Sequence, residues 1–104
     1  MNVATLKEML QKGESILLLD VREKEEVEAA GGTIEGAQNI PMGKVFIEAS
    51  KGLLPKDKKI VTICKSGTRC EIVARELRQK GYDIEHLEGG IDEWNKSLSN
   101  PPSV

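Results

Sequence analysis

The stretch KIVTICKSGTRC at 59–70 decides the fold and places the chemistry. Its first half, at 60–63, is a mostly apolar run that predicts a buried strand. Cys64 follows directly, and a polar segment centred on Gly67 separates it from a helical pattern that begins near Cys70. Ligands of open α/β sheets bind where strands end and helices begin, so this stretch predicts a functional site around Cys64.

Strand and helix patterns alternate along the rest of the chain. A nearly continuous apolar run at 15–21 predicts a strand buried on both faces, and 83–87 predicts another strand, followed by a turn at Gly89 and Gly90. We expect helices behind a capping box of Thr5 and Glu8, and at 23–30, 43–50 and 91–97. Such alternation predicts an α/β fold with a mainly parallel central sheet and helices on both faces.

Length and composition predict one globular domain. The chain has 104 residues, 38% of them hydrophobic and 31% charged, and we expect 1–98 to fold as one unit with 99–104 as a flexible tail. The formal net charge of −2 argues against a nucleic-acid binder, which would carry a basic excess. Charged residues at Lys7, Glu8 and Lys12 interrupt the N-terminal segment, and no apolar run approaches the roughly 20 residues that span a bilayer. Neither a membrane anchor nor a secretory leader is therefore predicted.

The two cysteines, Cys64 and Cys70, carry the predicted chemistry. Without an export signal the protein is expected in the cytoplasm, where thiols stay reduced. A loop with Gly67 ahead of a helix can turn successive amide N–H groups toward one point, which favours thiolate over thiol at Cys64. Lys65 and Arg69 add positive charge around the same point. The sequence thus predicts a nucleophilic thiolate in a cradle that suits an anion.

Such a thiolate can perform covalent catalysis in two steps. It attacks the sulfane sulfur of a donor, holds that sulfur as a persulfide, and yields it to cyanide or to a thiol. This chemistry needs no metal and no other cofactor, and the sequence has no Cys/His cluster with zinc spacing.

Four segments, in order, resemble the signature segments of the rhodanese family of sulfurtransferases. They lie at 18–22, 36–41, 64–69 and 81–94. The resemblance implies a rhodanese-like fold and thiosulfate sulfurtransferase activity, with Cys64 as the catalytic sulfur carrier. It implies that the loop binds the substrate through Lys65, Ser66, Gly67, Thr68 and Arg69. The partners it implies are thiosulfate or another small donor, cyanide or a thiol as acceptor, and thioredoxin or a cysteine desulfurase. A monomer is expected, because no large apolar surface stripe is evident.

The chain departs from the family pattern at two positions. Thr33 stands where the family often has histidine, and Cys70 follows the loop arginine where serine or alanine is usual. Cys70 is either a small helix residue or a redox partner that resolves a Cys64 persulfide as a disulfide. Cysteine phosphatases carry one residue more between their cysteine and arginine, which argues against phosphatase or arsenate reductase activity.

Several roles stay open at the level of sequence. Arg69 either binds substrate or forms an ion pair with Asp20 or Glu71, and Lys65 either contacts substrate or points to solvent. Ser66 and Thr68 either bind substrate or cap the following helix. Four further residues are expected to be structural: Asp20 and Arg22 fix a strand end, His86 lies on a strand surface and Trp94 packs in the core.

The function also has two alternatives besides the enzyme. One is a persulfide carrier that passes sulfur along a relay with poor turnover on small donors. The other is a non-catalytic regulatory domain, which the intact Cys64 and its loop disfavour.

Overall fold

The computed structural model describes residues 1–99, which form a four-stranded sheet and five helices. The strands are β1 Ile16–Asp20, β2 Gln38–Asn39, β3 Lys59–Ile63 and β4 Ile84–His86. The helices are α1 Val3–Gln11, α2 Lys24–Ala29, α3 Met42–Ser50, α4 Thr68–Gln79 and α5 Gly90–Ser99. The predicted tail at 99–104 lies outside the described residues except for Ser99, which ends α5.

The sheet has the order β2-β1-β3-β4, and each of its strand pairs is parallel. The α/β fold with a parallel central sheet is thereby confirmed. The chain leaves β1 toward one edge of the sheet and later builds β3 on its other side. Asp20 lies opposite Ile63 in this register, so the carboxyl ends of β1 and β3 meet where the strand order reverses. Ligands of open α/β sheets bind at this kind of point.

Two hydrophobic layers cover the sheet, because neighbouring side chains of a strand point to opposite faces. Leu18, Val61 and Ile63 pack with α1 and α5 through Leu6 and Ile91. The opposite layer joins β1, β3 and β4 to α3 and α4 through Leu19, Ile60, Ile84, Val45, Val73 and Leu77. The predicted helices on both faces of the sheet are thereby confirmed. Their packing fixes the positions of the carboxyl ends of β1 and β3.

Two helices begin earlier than predicted, α1 by three residues and α4 by two. Asn2, and not the expected box of Thr5 and Glu8, caps α1, since its side chain accepts a hydrogen bond of 2.8 Å from the Thr5 amide. The helix predicted to begin near Cys70 begins at Thr68 instead. An earlier start places the loop arginine and Cys70 in the first turn of α4. None of the described helices has the length and apolar character needed to cross a bilayer.

Candidate active site

Cys64 is the first residue after β3, and its sulfur sits beneath the first turn of α4. The residue is buried, with 1% of its surface exposed. Its Sγ accepts hydrogen bonds from the backbone N–H of Gly67, at 3.1 Å, and of Cys70, at 3.3 Å. The predicted convergence of amides on the cysteine is therefore present in the folded chain.

Gly67 makes this short loop possible. It occupies the N-cap position of α4 with φ of 110°, a left-handed conformation that side chains other than hydrogen disfavour. A Cβ here would also lie 3.3 Å from the Gly89 nitrogen. Because α4 begins at Thr68, only three residues separate the strand-end cysteine from the helix, and the positive end of the helix dipole faces the sulfur.

Of the two roles left open for the hydroxyls of Ser66 and Thr68, capping of α4 is wrong. Ser66 and Thr68 are both exposed, and the N-cap residue of α4 is Gly67, which has no side chain to accept a hydrogen bond. The left-handed backbone at the cap position disfavours any residue with a Cβ, so the backbone alone lines the cradle there.

The surroundings stabilise the Cys64 thiolate and lower its pKa from 9.0 to about 5. The largest cause is a hydrogen bond from the Cys70 thiol, whose Sγ lies 3.2 Å from the Cys64 Sγ. Burial acts in the opposite direction, and the backbone N–H groups of Cys70, Gly67 and Arg69 add to the lowering. The same contact with a neighbouring thiolate raises the pKa of Cys70, so Cys70 is the proton donor of the pair.

Arg69 turns away from the sulfur and forms a two-pronged ion pair with Glu26 of α2. Its Nη2 donates to Glu26 Oε2 at 2.7 Å, and its Nη1 donates to Oε1. This hydrogen bonding with Arg69 lowers the pKa of Glu26 to about 2. The ion-pair alternative was therefore right in kind but wrong about the partner, which is neither Asp20 nor Glu71. The separation of α2 from α4 in sequence hid this contact.

Lys65 lies at the rim of the loop with its ammonium group in solvent. The side chain is 66% exposed and its Nζ lies 3.2 Å from Asp92 Oδ2. Of the loop residues predicted to bind substrate, Gly67 donates its backbone N–H to the sulfur at 3.1 Å, and the backbone N–H of Arg69 helps to lower the pKa of Cys64. Lys65 and Arg69 both stand at the rim, each paired with a carboxylate.

The adjacent strand end is braced by a buried ion pair, as expected for Asp20 and Arg22. Arg22 Nη2 donates to Asp20 Oδ2 at 2.7 Å, and Arg22 Nε also donates to the carboxylate. Thr33 donates from its hydroxyl to Asp20 Oδ2 at 2.6 Å, and Arg22 donates to the Gly32 carbonyl at 3.1 Å. The residue that replaces the family's frequent histidine is thus part of this brace.

Gly90 is a positioning residue that the sequence analysis missed. It begins α5, whose first amides bind the cysteine loop: Ile91 N–H donates to the Cys64 carbonyl at 2.7 Å, and Asp92 N–H donates to the Lys65 carbonyl at 3.0 Å. A Cβ at Gly90 would lie 2.4 Å from the Cys64 carbonyl oxygen, so only glycine permits this approach. The glycine pair was interpreted as a turn, although a Gly-Gly directly before a helical pattern also signals a close backbone contact.

Trp94 and His86 lie close to where they were expected. Trp94 is half-buried against the core, with Lys7 Nζ 5.3 Å from its ring centroid, and it also lines a groove of about 880 Å³ beside the loop. His86 is a half-buried residue of β4 and takes no part in the cradle.

A cysteine at the end of a parallel strand, beside the N-terminus of the next helix, is the arrangement that the four sequence segments led us to expect. Residues 2–97 match the Rhodanese-like domain family, and the chain belongs to it. One relative is the sulfurtransferase YtwF of Bacillus subtilis, named as putative. Its sequence is 41% identical to this one, over 89% of this chain and 86% of the YtwF chain. A sulfurtransferase of Allochromatium vinosum is 36% identical over 86% of this chain and 81% of its own.

The fold is similar to that of solved structures in the same class. A rhodanese-related protein from Thermoplasma volcanium superposes with a TM-score of 0.81 and 33% identity, over 100% of this chain and 95% of its own. The resemblance inferred from the four sequence segments is thereby confirmed, and the rhodanese-like fold extends over the described domain.

Proposed function

We propose that this protein is a sulfurtransferase that carries sulfane sulfur on Cys64. The observation that carries the proposal is the stabilised Cys64 thiolate, held by amide N–H groups at the first turn of α4. Membership of the rhodanese-like family, and the sulfurtransferase names of its relatives, support sulfur transfer as the general activity. The donors we propose are thiosulfate and persulfides.

The first step loads the cysteine. The Cys64 thiolate attacks the sulfane sulfur of thiosulfate, the sulfur–sulfur bond of the donor breaks, and sulfite leaves with the bonding electron pair. The lowered pKa of Cys64 favours the thiolate form, so the attack needs no general base. The first-turn amides of α4 hold the negative charge that the sulfur brings.

The second step unloads it. Cyanide or a thiolate attacks the outer sulfur of the persulfide, and Cys64 leaves as a thiolate. A low pKa makes Cys64 a good leaving group, since stabilised thiolates leave faster. One cradle therefore serves both steps.

The loop at 65–69 is the proposed substrate-binding segment. Its part nearest the sulfur is backbone, and Lys65 and Arg69 place positive charge at the rim. Both cations are paired with carboxylates in the resting protein, so they supply steering at the entrance rather than contact with Cys64. We propose a cytoplasmic monomer that receives sulfur from a small donor or a desulfurase and gives it to a small thiol, cyanide or thioredoxin.

The test incubates the protein with thiosulfate, reads its intact mass, and then measures thiocyanate after cyanide is added. We expect the wild type to gain one sulfur atom and to release thiocyanate, and Cys64→Ser to do neither while keeping its fold by circular dichroism. Sulfur loading with negligible turnover would assign a persulfide carrier instead. Loading of Cys64→Ser, or no loading of the wild type from thiosulfate or any persulfide, would overturn the proposal.

A further inference from the structure

A second thiol lies inside the wall of the cradle. Cys70 is fully buried, and its Sγ lies 3.2 Å from the Cys64 Sγ. This distance is similar to those of the Gly67 and Cys70 amide nitrogens from the same sulfur, 3.1 Å and 3.3 Å. Both cysteines are free thiols. The proposed transfer to an external acceptor does not use Cys70 as a nucleophile.

The fold holds Cys70 in this position from three sides. Its carbonyl accepts a hydrogen bond of 2.9 Å from the Thr62 hydroxyl of β3, which ties the first turn of α4 to the sheet. Its Sγ lies 3.3 Å from the Gly67 carbonyl oxygen and 3.8 Å from that of Leu87. These contacts hold the second sulfur beside the first.

We propose that Cys70 is a resolving thiol, which cleaves the Cys64 persulfide within the same molecule and releases hydrosulfide. The inference rests on the proposed function, because it requires that Cys64 carries a sulfur atom. It adds a second fate for that sulfur: transfer to an external acceptor conserves it as sulfane sulfur, whereas resolution by Cys70 reduces it to sulfide.

The step balances in atoms and charge. The Cys70 sulfur attacks the inner sulfur of the persulfide, and its proton passes to the outer sulfur. A bond forms between the Cys64 and Cys70 sulfurs, the bond between the inner and outer sulfurs breaks, and hydrosulfide leaves with the electron pair. Both cysteines are oxidised to the disulfide and the outer sulfur is reduced. A dithiol must then reduce this disulfide to restore the two thiols.

The charge distribution favours the step only after loading. In the resting protein the Cys64 thiolate keeps the Cys70 proton in place and raises the pKa of Cys70. A persulfide carries its charge on the outer sulfur, so the inner sulfur becomes an electrophile next to a thiol that already faces it. Cys70 therefore stays a proton donor while Cys64 is a thiolate, and it becomes a nucleophile once Cys64 carries the persulfide.

The experiment follows loaded protein with no acceptor present. The protein is loaded with glutathione persulfide, freed of donor on a desalting column, and sampled over time for intact mass and for released sulfide. We expect the added sulfur to disappear, the mass to fall two hydrogens below that of the reduced protein, and one sulfide to appear per molecule. Added dithiothreitol should restore the reduced mass.

Cys70→Ser and Cys70→Ala are compared with the wild type from equally loaded samples, so slower loading does not affect the result. Since neighbouring groups gain a large effective concentration, sulfide release in both variants should fall on the order of 100-fold or more. Wild-type release should be independent of protein concentration, as for an intramolecular reaction. Release at the wild-type rate from Cys70→Ser would overturn this inference and leave the proposed function standing. A wild type that gains no sulfur would overturn both.

Discussion

The ends of β1 and β3 lie side by side in the sheet, yet they are built in opposite ways. At the end of β1, the carboxylate of Asp20 accepts hydrogen bonds mainly from the side chains of Arg22 and Thr33, and one more from the Arg22 backbone N–H. At the end of β3, Cys64 is held by backbone amides and by one other thiol. The first arrangement neutralises its charge, whereas the second stabilises a charge that stays reactive. Of these two adjacent strand ends, that of β1 therefore supports the structure and that of β3 carries the reactive group.

The largest effect is expected from loss of the ion pair at the end of β1. Arg22→Met removes the partner of a buried carboxylate and should lower the free energy of unfolding by about 3–5 kcal/mol. Urea denaturation measures the change. Arg75→Met, at an exposed position of α4, is the matched control and should change stability by less than about 0.5 kcal/mol. Similar stabilities for the two variants would show that the strand end does not depend on this ion pair.

A smaller effect is expected where α5 meets the cysteine loop. Gly90→Ala places a Cβ against the Cys64 carbonyl and should cost about 1–3 kcal/mol of stability, together with slower sulfur loading. Gly43→Ala is the control, since a Cβ there meets no atom within 4 Å and a helix favours alanine. We expect the control to be as stable as the wild type or more so. Unchanged loading in Gly90→Ala would argue that the contact does not position Cys64.

The smallest effect concerns the charge at Cys64 itself. Cys70→Ala removes the hydrogen bond that contributes most to the lowered pKa, so the pKa of Cys64 should rise from about 5 toward 9.0. The thiolate fraction at pH 6 should then fall, while that at pH 10 stays high. The pH profile of iodoacetamide labelling, read by peptide mass at Cys64, measures this shift. Cys70→Ser keeps a hydrogen-bond donor at this position, so the pKa of Cys64 should rise less in this variant than in Cys70→Ala. Overlapping profiles for wild type and Cys70→Ala would assign the lowered pKa to the backbone amides alone.

Much of the fold was predictable because it depends on local patterns. The apolar runs at 15–21 and 60–63 gave β1 and β3, and Cys64 at a strand end gave the position of the site. The helix starts were less accurate, since the cap of α4 is the backbone of Gly67, which carries no side-chain signal.

The contacts between distant segments could not be predicted. The ion pair of Arg69 with Glu26 joins residues 43 positions apart, and no local pattern identifies Glu26 as the partner of a residue in α4. The short distance between the Cys64 and Cys70 sulfurs depends on where α4 begins, which was predicted two residues too late.

The two carbonyls that follow β3 are bound by the first amides of α5, and this has an entropic consequence. With the Cys64 and Lys65 carbonyls tied to Ile91 and Asp92, the loop loses its backbone freedom when the chain folds and not when a donor arrives. Its dipoles already point at the sulfur before any charge moves, so neither half of the transfer waits for them to reorient. Because Cys64 both accepts and releases sulfur in each catalytic cycle, the preorganised dipoles act in both steps.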